Sequence, residues 1–78
     1  MRREEVQSSL LKSAGYDPAE QTLEIEFQSG EMYEYLSVPQ TVFDEFMQAE
    51  SKGRFFNRNI RVAYQFVRLK ARGHASGA

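Results

Sequence analysis

From Thr22 to Phe27 polar and apolar residues alternate without a break, as Thr-Leu-Glu-Ile-Glu-Phe. Alternation of this strictness specifies a half-buried β-strand. Gln28-Ser29-Gly30 interrupts it, and Glu31-Met32-Tyr33-Glu34-Tyr35-Leu36 takes it up again, so the two segments read as a hairpin. Loop length then decides which side chains share a face. A two-residue loop of Ser29-Gly30 sets Tyr33 opposite Glu26 and Tyr35 opposite Glu24, which parts the rings from Leu23 and Ile25. A three-residue loop, with Gly30 left-handed after a type I turn, pairs Phe27 with Glu31, Ile25 with Tyr33 and Leu23 with Tyr35. The second register gathers Leu23, Ile25, Phe27, Tyr33 and Tyr35 on one face. It leaves Glu24, Glu26, Met32 and Glu34 on the other, which is expected to be wet and acidic.

The flanking segments supply partners for that apolar face. Val6–Tyr16 is punctuated by Ser8, Ser9 and Ser13 and alternates weakly, as a short first strand would. Asp17-Pro18-Ala19-Glu20-Gln21 breaks it, because Pro fixes φ near −65° and Asp can bond the backbone just downstream. Pro39 suits the first turn of a helix, and Val42, Phe43, Phe46 and Met47 recur at helical spacing while Asp44, Glu45 and Gln48 fall on the opposite side. An amphipathic helix over 39–49 is therefore predicted. Ser51 can cap a second short helix from Lys52, closed by Asn57-Arg58-Asn59. Ile60–Leu69 fits a strand through Ile60, Val62, Tyr64 and Phe66 and a helix through Ile60, Tyr64 and Val67, and is read as irregular or briefly extended.

These elements predict an α+β domain: a small antiparallel sheet of about three strands, packed on one face by the amphipathic helix and followed by the short second helix. Seventy-eight residues allow one such domain. A chain of this size buries only about 60% of its unfolded surface, so large pockets are not expected. Residues 8–69 are assigned to the domain, 1–7 to a flexible N-terminus, and 70–78, which lack apolar anchors, to a disordered tail.

Several chemistries are disfavoured at once. Without Cys there are no disulfides, thiolate nucleophiles or iron–sulfur ligands, and most zinc sites are excluded. No metal site and no cofactor is expected. The single His, His74, lies in the C-terminal tail, so no base is placed for a nucleophile and no catalytic residue is assigned. Ser29-Gly30 and Gly53 belong to no phosphate-cradling glycine motif. The carboxylates of the outer strand face lack the tight loop of a calcium site. The longest charge-free stretch, Tyr35–Phe43, is far short of the ~20 apolar residues that span a bilayer. With no apolar run after Arg2-Arg3 to make a signal peptide, a cytoplasmic protein without membrane contact is expected.

The net charge of −1 hides a strong polarity. Residues 1–50 hold all eleven acids and three bases, a net of −8, whereas residues 51–78 hold seven bases and no acid. Two explanations are open: the basic part meets an anionic partner, or it folds against the acidic part. Lys52, Arg54, Phe55, Phe56, Asn57, Arg58, Arg61, Tyr64, Phe66 and Arg68 interleave cations with rings, and cations draw phosphate while rings stack on unpaired bases. Phe55, Phe56 and Phe66 equally serve as core in so small a chain.

In order along the chain, Ser8-Ser9, Gly15-Tyr16-Asp17, Leu23-Glu24-Ile25-Glu26-Phe27, Ser29-Gly30, Tyr33-x-Tyr35, Val38-Pro39, Ala49-x-Ser51-Lys52-Gly53-x-Phe55-Phe56-Asn57, Ile60-Arg61 and Tyr64 resemble the KTSC domain. That family is named for its occurrence at the C-terminus of some lysyl-tRNA synthetases and also exists as free-standing bacterial proteins. The resemblance implies a binding module with RNA as proposed ligand, and it singles out Tyr33, Tyr35, Ser51, Gly53, Asn57 and Tyr64 as supporting positions. The charge layout nominates Lys52, Arg54, Arg58, Arg61 and Arg68 for phosphate contacts. About four neutralised phosphates on a single strand would give a log K against log salt slope of roughly −3. The rival expectation is a protein partner or homo-oligomer in which opposite charge halves meet, with a monomer favoured.

Overall fold

The computed structural model describes residues 2–5, as backbone, and 8–69. Five strands form one antiparallel sheet in sequential order: β1 Arg2–Glu5, β2 Leu11–Asp17, β3 Thr22–Phe27, β4 Met32–Tyr35 and β5 Phe66–Leu69. Between β4 and β5 run α1, Gln40–Gln48, then α2, Lys52–Phe55, which widens into a π-helical turn over Phe56–Ile60. The sheet of about three strands is thus extended by a strand at each edge. Arg2–Glu5, assigned to a flexible N-terminus, is a strand paired with β2. The tail assigned to 70–78 lies outside the described residues.

The hairpin has the register expected of a three-residue loop. Leu23 pairs with Tyr35 and Ile25 with Tyr33. The Phe27 amide donates to the Glu31 carbonyl at 2.9 Å, and Gly30 closes the turn at φ +96°, where a Cβ would be strained. The Asp17 turn works as its residues suggest, since Asp17 Oδ1 accepts from the amides of Ala19 (3.0 Å) and Glu20 (3.3 Å).

One sheet face carries Leu11, Ala14, Tyr16, Leu23, Ile25 and Tyr35, and beneath the helices these residues join Val38, Phe46, Phe56 and Ile60 in the core. Aromatic contacts join the layers. Tyr16 stacks on Phe43 at 4.7 Å between centroids, while Phe27 and Tyr35 each meet Phe56 edge-on at 5.6 and 5.4 Å. The Tyr16 hydroxyl donates to the Val38 carbonyl at 2.5 Å, tying β2 to the segment that leads into α1.

The opposite face departs from its expected wetness. Glu26 and Met32 are only 4% and 7% exposed, and the Glu26 carboxylate accepts from Ser13 Oγ at 2.8 Å. Ser13 on β2 and Met32 on β4 flank Glu26 on this face, and the added edge strands β1 and β5 widen the sheet beyond them. The ambiguous stretch 60–69 divides in two: Ile60 closes the π-turn as a core residue, and the chain becomes extended only at Phe66.

Candidate nucleic-acid interface

Ser51 starts α2 as a cap, its Oγ accepting from the Arg54 amide at 3.3 Å. The helix does not stop at Asn57–Asn59. It continues as a π-turn closed by the Arg61 amide on the Phe56 carbonyl at 2.8 Å. Burial of Phe56 and Ile60 holds this wide turn against the sheet and leaves Asn57, Arg58 and Asn59 between them on the outside. Wide turns of this kind recur at functional sites.

Gly53 allows the first residues of the domain to approach α2. A Cβ at this position would stand 3.0 Å from Ser8 Oγ. Ser8 is itself held, since its Oγ accepts from the amides of Leu10 (3.1 Å) and Leu11 (3.3 Å). The approach creates a groove of about 550 Å³ lined by Ser8, Ser9, Ser51, Lys52, Arg54 and Arg58, with Leu10, Glu50, Gly53 and Asn57 completing its walls.

The basic residues meet different fates. Arg54 and Arg58 are exposed, line the groove together, and have no ion-pair partner among the described residues. Arg61 is exposed too, and its Nη1 donates to the neutral Asn57 Oδ1 at 3.1 Å, with no ion pair among the described residues. Lys52 is half-buried with Nζ on the Ala49 carbonyl at 3.2 Å. Arg68 stands apart on β5, where Nη2 reaches Glu31 Oε2 at 2.6 Å. Among the described residues, internal pairing of the two charge halves therefore accounts for Arg68 and leaves Arg54, Arg58 and Arg61 without an ion pair.

Beside the groove, and sharing Ser9 and Leu10 with it, lies a second pocket of about 280 Å³ lined also by Phe27, Gln28, Ser29, Glu31, Tyr33 and Arg61. Tyr33 is half-buried there, stacked on Phe66 at 4.9 Å and 6° and edge-on to Phe27 at 5.2 Å. Tyr35, its neighbour in the Tyr-x-Tyr motif, is a core residue 1% exposed. Burial pushes its phenol up to about 12, with the nearby Arg61 charge acting downward and Tyr33 upward. Tyr64 packs partly buried at the core margin. Sequence reasoning placed Ser51, Gly53 and Asn57 at this surface but did not bring Ser8, Ser9 and Leu10 to it. Two serines at the domain's start with no core role were the available signal. Among the described residues no cluster of His, Cys, Asp or Glu could hold a metal, and no helix is long and apolar enough to cross a membrane.

The model of the KTSC domain matches residues 7–64, a span that includes the Ser8 approach, the hairpin, the groove and Tyr64. The chain belongs to the KTSC domain family. A solved KTSC domain protein from Yersinia pestis superposes with a TM-score of 0.85 at 40% identity, covering 88% of this chain and 97% of that one. An uncharacterized protein of Stutzerimonas stutzeri is 50% identical over 70 residues, 88% of this chain and 99% of the relative. A lysine–tRNA ligase of a Nostoc species is 41% identical over 63 residues, which are 81% of this chain but 11% of the ligase. The KTSC fold is thus found both as a small free-standing protein and as a segment similar to part of a much larger one.

Proposed function

We propose that this KTSC protein is a non-enzymatic module that binds single-stranded or looped RNA in the groove between Ser8-Ser9 and α2. The observation that carries the reading is the pair Arg54 and Arg58: two exposed guanidinium groups on one groove, with Arg61 further along the same helical stretch and no carboxylate bound to any of them among the described residues. Guanidinium forks match phosphate oxygens, and hydroxyls of Ser8, Ser9 and Ser51 add neutral groups along a backbone track. Similarity to a segment of a lysine–tRNA ligase adds support, since that relative handles RNA by name. Arg68 is left out of the proposed site because it does not line the groove and pairs with Glu31. Titration of a labelled tRNA or oligonucleotide at several salt concentrations tests the reading. Three arginines on a single strand give an expected slope of about −2. Unchanged affinity after combined replacement of Arg54, Arg58 and Arg61 by Ala rejects it.

A second reading, self-association, rests on β5. This edge strand presents Phe66 and Val67, 49% and 48% exposed, and Val62 in the turn before it is 77% exposed. Open strand edges pair readily with other chains. Sedimentation distinguishes the two readings: a salt-insensitive dimer that is lost with Val67→Lys favours association over RNA.

A further inference from the structure

The basic groove ends at Ser9 and Leu10, and the pocket containing Phe27, Tyr33 and Arg61 begins at those same two residues. We infer that this second pocket is a seat for one unpaired base of the strand whose phosphates lie in the groove, and that it prefers an amino-bearing base, cytosine or adenine, to uracil. The inference rests on the RNA reading and deepens it.

Size, ring content and hydrogen-bond sense all bear on it. At about 280 Å³ the pocket lies near the ~300 Å³ lower bound of small-molecule sites. Tyr33 is half-buried at the pocket, its ring stacked on Phe66 on one side and edge-on to Phe27. A ring braced in this way offers a stacking surface without first having to be ordered. Arg61 lines the same pocket and supplies a guanidinium that can lie over a base or hold its flanking phosphate. Apart from Arg61, the groups of fixed hydrogen-bond sense are acceptors. Gln28 donates from Nε2 to the carbonyls of Ser8 and Leu11, each at 3.1 Å, so both amide hydrogens are used and Oε1 is the group left to bind. Glu31 adds a carboxylate whose charge Arg68 partly offsets. Acceptors bond the exocyclic amino group of cytosine and repel the carbonyl oxygen that uracil carries in its place. Cytosine against uracil isolates this effect, because the two rings stack alike.

The experiment compares short oligo(C), oligo(U) and an abasic strand of equal length on the full chain, with binding followed by fluorescence and Tyr33 ring shifts by NMR. Oligo(C) is expected to bind about tenfold tighter than the abasic strand and several-fold tighter than oligo(U), and to shift the Tyr33 ring. Tyr33→Phe keeps the preference and Tyr33→Ala removes it. Equal binding of all three strands with the salt slope intact and the Tyr33 resonances unmoved overturns the base seat while leaving the groove. Binding of none of them overturns both. Because the ring shifts are read on the unaltered protein, the test stands even if Tyr33→Ala does not fold.

Discussion

Gly53 and Ser8 meet so closely that a methyl group on the first would stand 3.0 Å from the hydroxyl oxygen of the second. The oxygen cannot easily retreat, since the Leu10 and Leu11 amides hold it. Two effects compete when Gly53 becomes Ala. Helix propensity favours Ala by about 1 kcal/mol, and the clash opposes it. Chemical denaturation is expected to show Gly53→Ala less stable by about 1 kcal/mol in the natural background and neutral or stabilising when Ser8 is also Ala. Additive effects in this double-mutant cycle would mean that the two residues are not coupled.

Arg58 and Arg68 carry the same charge but are predicted to behave differently. Arg58 lines the groove with no ion-pair partner among the described residues, whereas Arg68 is bound to Glu31 with both side chains largely in solvent, 63% and 40% exposed. Exposed pairs contribute about 0–1 kcal/mol. Arg68→Ala is therefore expected to leave both stability and RNA affinity nearly unchanged. Arg58→Ala is expected to weaken RNA binding several-fold and to reduce the salt slope by roughly 0.7. Isothermal titration at two ionic strengths measures both.

Tyr35 makes stability fall in alkali. Its phenol is pushed from 10.0 to about 12 by burial, and Tyr16 is also raised, by burial and then by Asp44 and Asp17. Below pH 10 folded and unfolded chains both keep the Tyr35 proton. Between pH 10 and 12 the unfolded chain releases it and the folded chain does not, so deprotonation favours unfolding. A loss on the order of 2–3 kcal/mol across that window is expected from Tyr35. Denaturant midpoints against pH measure it, and Tyr35→Phe flattens the curve. Since Arg61 acts downward on this group, Arg61→Ala is expected to move the phenolate absorbance titration of Tyr35 higher still.

Tyr16→Phe keeps the ring that stacks on Phe43 and removes the hydroxyl that donates to the fully buried Val38 carbonyl. An acceptor left without a donor in the interior costs about 1–3 kcal/mol. Thermal unfolding is expected to register that loss with little change in the near-ultraviolet signature of the aromatic layer. A stability equal to that of the natural protein would show that water replaces the bond.

Much of the hairpin and the first helix was legible because their determinants are local. Alternation from Thr22 to Phe27 and a loop ending in Gly30 select one register, and Val42, Phe43, Phe46 and Met47 select one helical face. Glu26 shows where such reading ends. Its alternation placed it outward, and it does lie on the outer face, yet the width of the sheet and Ser13 across the strand bury it. The stretch 60–69 could not be settled from its own pattern because Ile60 and Phe66 answer to different surroundings, a helix packed on the core and a β4 edge open for pairing.

Sequence alone determined the strand period, the turn, the cap at Ser51 and the excess of positive charge after residue 50, all properties of neighbours along the chain. Only the tertiary structure decided that Ser8 lies against Gly53 to form a groove, and that Arg68 pairs with Glu31 while Arg54 and Arg58 form no ion pair among the described residues. The physical reason is distance. Charge and hydrogen-bond partners act over a few ångströms of space, and which residues come that close depends on how the whole sheet and its helices pack.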